Sequence, residues 1–412
     1  MDKDGYMIAA MENNVRLYPT FQFFASFFAW LPIFFLYFNQ YLSLSEVIQL
    51  GSVYYFFVCL WEVPSGYFSD RIGRRPTLII AGFALMLAYI AFLASDDFAG
   101  FIVGQILIAL GMAMMSGTDS AFLYDSLLGC DRADEYEKWE AKSQKMSSGS
   151  AAIAAILGGL LGLVELEYAY YLSLASAFIM VVIAWRFVEP VNETRQTTES
   201  PLKTLGQCIR HLKHPVLGWV FAVMALMYCL EHIAYEFYQP YIKLLNLRWL
   251  QQDSSTLVSG MVLSVSMIGG AVGAAYSVRL NQYFGVVRLL FIAFAIQLAI
   301  IAGLSQLLWP GILFIVMLRN FPMSMIHAPV NSVIAPLIGS HLRATYLSIQ
   351  SLAARLLFSI VLYMLSSSIS GSELLSWEEL SQVLSYALVF GLAGCAFAWL
   401  FMPRSLGKKN YP

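Results

Sequence analysis

The sequence predicts an all-α membrane protein: twelve transmembrane helices in two six-helix bundles. Three observations carry this. Of 412 residues, 59% are hydrophobic and only 12% charged, whereas soluble domains carry about 25% charged residues; the mean hydropathy is +0.67. Twelve stretches reach the ~20 apolar residues that a bilayer crossing takes. Lysine and arginine also concentrate in alternate loops, as a polytopic chain requires.

The expected spans are 17–42, 46–69, 76–95, 98–124, 146–164, 168–188, 215–241, 254–278, 286–305, 310–335, 344–366 and 380–402. Some are parted only by short polar breaks such as Asp96-Asp97 and Glu165-Leu166-Glu167. With both termini in the cytoplasm, twenty of the 24 Lys and Arg fall on that side; Lys243 and Arg248 lie opposite, and Arg319 and Arg355 lie inside spans. The opposite loops carry Asp96, Asp97, Glu165, Glu167, Asp253, Glu373, Glu378 and Glu379. Positive charge retained in the cytoplasm sets this orientation, and the expected location is the bacterial inner membrane. The longest polar stretch between spans, 189–214, is expected to link bundles at 1–188 and 215–412. Its second part, Leu202 to His214, reads either as a short basic interfacial helix or as a plain solvated linker.

Composition also excludes function classes. A net charge of −2 argues against nucleic acid, which needs a basic face. The five cysteines show no metal or redox spacing, so neither a metal site nor a disulfide framework is expected, and no cofactor is implied. Met1 to Arg16 lacks the pattern of a signal peptide. There is no HExxH, no GxSxG and no phosphate loop, so an enzyme is not expected.

The densest charge between two apolar runs is Glu62-Val-Pro64-Ser-Gly66-Tyr-Phe-Ser-Asp70-Arg71-Ile-Gly73-Arg74-Arg75-Pro76. Ionised groups in hydrocarbon cost several kcal/mol, so this cluster belongs in water or the interface. Gly66 and Gly73 are expected to allow close helix approach and a tight turn. Gly66-xxx-Asp70-Arg71-x-Gly73-Arg74-Arg75 resembles the loop 2–3 signature of the major facilitator superfamily of secondary transporters, and the match covers every polar position. The resemblance implies that superfamily's fold, with two bundles rocking around a central site. It also implies an acid at the end of span 4 that pairs with the loop arginines; Ala121-xxx-Asp125 fits, so Asp125 joins Gly66, Asp70, Arg71, Gly73, Arg74 and Arg75 as an expected cytoplasmic gate. A shift of 212 residues aligns the starts of spans 4 and 10 and sets Asp119-Ser120 on Asn331-Ser332. After span 8, Asn281-Gln-Tyr-Phe-Gly285 takes the place of Asp70-Arg-Ile-Gly73 without its charges.

Polar residues inside spans are expensive and face a cavity or a partner helix. Glu62 and Asp119 are such residues in the first half, read either as functional groups or as interhelical hydrogen-bond partners. In span 7, Tyr228, Glu231, Tyr235 and Tyr238 share one helical face, and His232 and Glu236 are i, i+4 neighbours on the next. Removing a carboxylate from water favours its protonated form, and a nearby cation favours the ionised one. Glu231 or Glu236 is therefore a candidate proton carrier, with His232 as modulator; Glu236 and Gln239 read alternatively as outer-interface residues among anchoring tyrosines. Span 10 carries Arg319 roughly 14 Å in, then His327 and Asn331 on one face. Span 11 carries Ser348, Ser351, Arg355 and Ser359 as a polar stripe. Both arginines need anionic partners: Glu231, Glu236, Asp119 or a substrate anion.

Two departures from the superfamily's drug exporters stand out. Leu107 occupies the span 4 position where many of them carry arginine, and span 5 has Gly149, Gly158, Gly159 and Gly162 but no proline. Phe21, Phe23, Phe24, Phe27, Phe28 and Trp30 crowd span 1 and are expected to face lipid. Abundant tyrosines with a few charges suit an amphiphilic or aromatic organic solute. The expected function is secondary transport of such a small molecule by a monomer in the lipid bilayer, with protons as coupling ion and export as direction. Proton-coupled uptake of a nutrient or metal chelate is the alternative within the class; a non-transporting membrane sensor or a membrane-embedded enzyme is the alternative outside it.

Overall fold

The structure, a computed structural model, describes residues 3–190, 201–249, 254–338, 340–369, 376–404 and 406. Sixteen α-helices follow one another: α1 (Lys3–Ala25), α2 (Phe34–Phe38), α3 (Leu44–Ile72), α4 (Arg74–Ala94), α5 (Phe98–Met115), α6 (Thr118–Leu128), α7 (Tyr136–Leu161), α8 (Glu167–Arg186), α9 (Pro201–His211), α10 (Pro215–Trp249), α11 (Ser255–Phe284), α12 (Val286–Gln306), α13 (Ile312–Val316), α14 (Asn320–Ile334), α15 (Ser340–Ser367) and α16 (Trp377–Leu400). The described residues contain no strand. Among the described residues, ten segments are long and apolar enough to cross a membrane, from Leu44–Glu62 through Trp377–Leu400. They correspond to every expected span except 17–42 and 146–164. The first of these two is an interrupted helix, α1 and α2. The second lies in α7, which begins at Tyr136, ten residues before the expected start, with a charged initial stretch.

The chain forms two compact units. One comprises Met1–Leu42, Val53–Gln196 and Thr256–Ser264; the other comprises Ser43–Ser52, Thr197–Ser255 and Val265–Pro412. Of the linker expected at 189–214, residues 191–200 lie outside the described residues, and 201–211 form the helix α9, packed on α15.

In the first unit the decisive feature is the break at Ser26–Trp30 between α1 and α2. A helix interrupted in hydrocarbon exposes backbone groups that water cannot satisfy there. Serines from neighbouring helices satisfy them. Ser150 of α7 donates to the Phe23 carbonyl, Ser176 of α8 to that of Phe24 at 2.9 Å, and Ser259 of α11 to that of Pro32. The Trp30 amide donates to the Ser173 hydroxyl at 3.2 Å. Gly158 lets α7 pass the break, because a Cβ there would lie 1.8 Å from the Ala29 carbonyl oxygen.

The span 1 aromatics are not a uniformly exposed set, as lipid-facing side chains would be. Phe21 and Phe27 are buried, and Phe23, Phe24, Phe28 and Trp30 are half-buried. Phe21 packs on Phe187 at 5.4 Å, and Trp30 joins a core, at 6.1 Å from Tyr170, in which Tyr37 meets Tyr170 at 4.4 Å, and Phe38 meets Phe101 at 4.9 Å and Phe92 at 5.2 Å. Large flat rings fill the irregular space beside a broken helix, and edge-to-face pairs add to the area they bury.

In the second unit α12 packs on α16 and α10 on α15. The initial part of α3 lies along α15: Ser52 donates to the Ser359 carbonyl at 2.9 Å and receives the reciprocal bond at 2.9 Å, and Ser45 donates to the Ser366 carbonyl at 2.9 Å.

The same turn appears once in each half. Gly73 joins α3 to α4 with φ 106° and ψ 161°, and Gly285 joins α11 to α12 with φ 75° and ψ 154°. This backbone region is essentially restricted to glycine, and the two positions are related by the 212-residue shift. Their surroundings differ. A Cβ on Gly73 would meet a Glu189 carboxylate oxygen at 2.5 Å, whereas one on Gly285 would meet nothing within 4 Å. Gly285→Ala is expected to cost about 1–3 kcal/mol from backbone strain alone, and Gly73→Ala more; thermal unfolding of the two purified variants checks the order.

Candidate functional site

Candidate residues fall into three groups: a charged hub and a polar network in the first unit, and a charged cluster in the second. The hub is the expected loop 2–3 motif. Arg74 is its centre, 2.8 Å from Asp70 and 3.5 Å (Nε to Oδ2) from Asp125, whose side chain is 12% exposed. Arg74 also donates to the Ser69 hydroxyl at 2.8 Å. Arg75 donates to the Trp185 carbonyl at 2.9 Å, and Arg71 lies over the Tyr67 ring at 5.1 Å. Gly66 does not serve helix approach: a Cβ there would meet nothing within 4 Å, since that face of α3 is open.

Sequence reasoning missed what holds this turn. The Glu189 carboxylate accepts from the amides of Arg74 at 2.7 Å and Arg75 at 2.8 Å. It caps the first turn of α4, where unpaired amides and the helix dipole favour an anion. One residue earlier, buried Asn14 makes a two-way bond with Val188, its Nδ2 to the carbonyl at 2.8 Å and its Oδ1 from the amide at 2.9 Å. It also donates to Ser126 at 3.3 Å. Residues 188 and 189, just past α8, thus tie together α1, α4 and α6. The available signal was the acid next to Pro190 at the end of span 6.

The second group surrounds another break. Span 4 is interrupted at Ser116–Gly117, with Gly117 at φ 73°, and Asp119 stands in the first turn after it. Its carboxylate accepts from Gln22 at 2.7 Å and from the Ser120 amide at 2.7 Å. Gln22 also donates to the Tyr18 hydroxyl at 2.7 Å. Ser120 reaches Glu140 of α7 at 3.5 Å, and Ser116 donates to Glu62 at 3.1 Å. Gln22 and Glu140 were not anticipated; each is a polar residue on a helix of otherwise regular pattern.

The third group joins α10, α12, α14 and α15. Arg319 lies in the interruption between α13 and α14 and is 4% exposed. Its guanidinium stands 4.8 Å above the Tyr235 ring and 5.6 Å from that of Tyr238. Glu231 is within its electrostatic reach, yet among the described residues Arg319 forms no ion pair and its Nε is buried without a hydrogen bond. The Arg319 carbonyl, at the start of α14, accepts from Gln297 at 2.9 Å. Gln297 was also missed; it is a lone amide in the apolar run of span 9. His232 donates through Nδ1 to the Tyr228 carbonyl at 3.0 Å and stacks on the Tyr228 ring at 3.8 Å. It lies 5.4 Å from Phe358 and within electrostatic reach of Arg355. Glu236 is buried and Gln239 fully so, which places both inside the protein rather than in an outer interface. A Cβ on Gly51 would approach the Glu236 carboxylate to 3.3 Å. His327 and Asn331 sit further along α14 and bond to each other at 3.4 Å.

A helical membrane protein with a charged hub at one loop and buried charges at helix interruptions is the form of a transporter. The sequence profile of the Major Facilitator Superfamily matches residues 20–362, and the chain belongs to that superfamily of membrane transporters, not to an enzyme family. A point variant of the nucleoside transporter NupG aligns with a TM-score of 0.78 at 11% identity, over 96% of this chain and 100% of that one. A D-xylose-proton symporter gives 0.70 at 15% over 96% and 99%. A bacterial homologue of the human lysosomal transporter Spinster, inward-facing and occupied, gives 0.68 at 14% over 96% and 96%. At these identities the likeness is one of fold. No curated protein matches in sequence.

Removing the Glu189 carboxylate by Glu189→Ala is expected to destabilise the first unit by about 1–2 kcal/mol through loss of the α4 cap. Glu189→Gln, which keeps one acceptor oxygen, is expected to fall between that variant and wild type in a thermal unfolding series.

Proposed function

We propose that this transporter is proton-coupled, that Glu231 carries the proton, and that Arg319 and Arg355 line the substrate site. The observation that carries the reading is Glu231 within reach of a buried guanidinium that has no ion-pair partner among the described residues. A carboxylate that alternates between a protonated form and a form attracted to a cation couples proton movement to whatever competes for that cation. His232, held between Tyr228 and Phe358, tunes the same pocket; Tyr235 and Tyr238 supply aromatic surface. Asp119 and Glu62 are assigned an interhelical role, since each has a hydrogen-bond donor from a neighbouring helix.

Alternating access by rocking of two six-helix bundles, 1–188 and 215–412, is the mechanism proposed. Gly66, Asp70, Arg71, Gly73, Arg74, Arg75 and Asp125 gate its cytoplasmic side, and the Arg74–Asp125 and Arg74–Asp70 contacts support that role. The protein is placed in a bacterial inner membrane as a monomer with both termini cytoplasmic, on the charge asymmetry of its loops. Its direction is export of a small organic solute. Uptake is the second reading, favoured by the missing span 4 arginine and span 5 proline and by the structural likeness to a protein described as a D-xylose-proton symporter.

The test is proton movement in proteoliposomes holding a pH gradient, screened against pools of organic solutes from either side. Solute-dependent proton flux is expected in wild type and is expected to be lost in Glu231→Gln, with folded protein retained. Solute movement without proton flux would refute the coupling, and full flux in Glu231→Gln would refute the carrier.

A further inference from the structure

We infer that the substrate is an organic monoanion whose carboxylate is held by Arg319. The inference rests on the transport reading above and specifies its substrate class. A guanidinium that is 4% exposed and lacks both an ion pair and a side-chain hydrogen bond among the described residues is a costly arrangement unless something completes it. Two rings lie against it: Tyr235 at 4.8 Å and Tyr238 at 5.6 Å. A cation–π contact uses none of the N–H groups, and the guanidinium is a planar fork that matches a carboxylate with two parallel bonds. The backbone behind it is already anchored, since Gln297 binds the Arg319 carbonyl at 2.9 Å, so the side chain is held ready and its donors are not.

The charge of the ligand follows from the surroundings. Glu231 is within electrostatic reach of the arginine, and Glu236 lies about one and a half turns further along the same helix. A doubly charged phosphate would be repelled by ionised carboxylates that a single negative charge opposes less. Protonation of Glu231 removes the internal competitor for Arg319, so the proton and the anion are taken up by the same pocket. The orphaned Oε1 of Gln297 is a second buried group without a partner; as an acceptor it suits a ligand that also carries a hydroxyl or N–H group.

The probes are benzoate, phenylacetate and 4-hydroxybenzoate with their primary amides, and the readout is the unfolding temperature of the purified protein titrated with each. Carboxylates are expected to raise it and amides to leave it unchanged. Arg319→Gln is expected to weaken carboxylate binding by about thirtyfold or more, as loss of one partner of a buried charge pair does. Arg319→Lys, which keeps the charge but not the fork, carries the same test if the glutamine variant does not fold, and is expected to retain only part of the response. No shift with any carboxylate, an equal shift with the amides, or a carboxylate shift that survives in both variants overturns the inference. Binding is read without a gradient, so the two readings fail separately. Carboxylate binding without proton flux leaves this inference standing and removes the coupling. Proton flux driven by neutral solutes alone does the reverse.

Discussion

In hydrocarbon a helix is interrupted only where other protein groups take up the hydrogen bonds it gives up. The first unit meets that condition at Ser26–Trp30 with four serine hydroxyls from three neighbouring helices. In the second, the Gln297 amide holds the Arg319 carbonyl at the start of α14. Both interruptions thereby become fixed points instead of weak ones, and polar chemistry collects there. Asp119 follows the span 4 interruption within its first helical turn, and Arg319 forms part of the span 10 interruption. The irregular backbone decides where a charge sits inside the bilayer; the regular helices around it decide that the charge stays.

The charged hub obeys a related rule at the membrane edge. Arg74 and Arg75 carry the obvious charges, but the turn is organised by an acid acting on backbone. Glu189 neutralises the amide end of α4, and Asn14 fastens the residue before it to α1. The arginine side chains are then free for Asp70, Asp125 and Ser69. A network that fixes backbone with one acid and side chains with two others can exchange the second set without unfolding the first.

Much of this was legible in the sequence, for identifiable reasons. Apolar length and the Lys/Arg asymmetry are properties of whole segments, so the helical membrane fold could be read directly, and the superfamily came from the resemblance carried by Gly66 to Arg75. Ten expected spans coincide with apolar segments, and Asp125 was found because the resemblance to the superfamily implies an acid at the end of span 4. The interruptions were not legible, because Ser26–Trp30 is as apolar as a continuous span and the serines that cap it are distant in sequence. The same blindness put the span 1 aromatics toward lipid, since hydrophobicity does not distinguish a core ring from a lipid-facing one. Glu189, Asn14 and Gln297 were missed because each acts on backbone, and a bond to a peptide group leaves no complementary residue type to search for. The sequence left Glu236 open between a proton carrier and, with Gln239, an outer-interface residue among tyrosines; both are buried, and α10 continues to Trp249, past the expected end of span 7 at residue 241.

The paired glycine turns at Gly73 and Gly285 carry a historical meaning. Two positions 212 residues apart hold the same backbone geometry, although one is enclosed by a carboxylate and the other opens on nothing. If the halves descend from one duplicated gene, the turn outlasted the charges that now surround only one copy. Reconstruction of the ancestor would then begin from dihedral angles instead of residue chemistry, and it would assign the loop first to connecting two helices and only later, in one copy, to carrying charge.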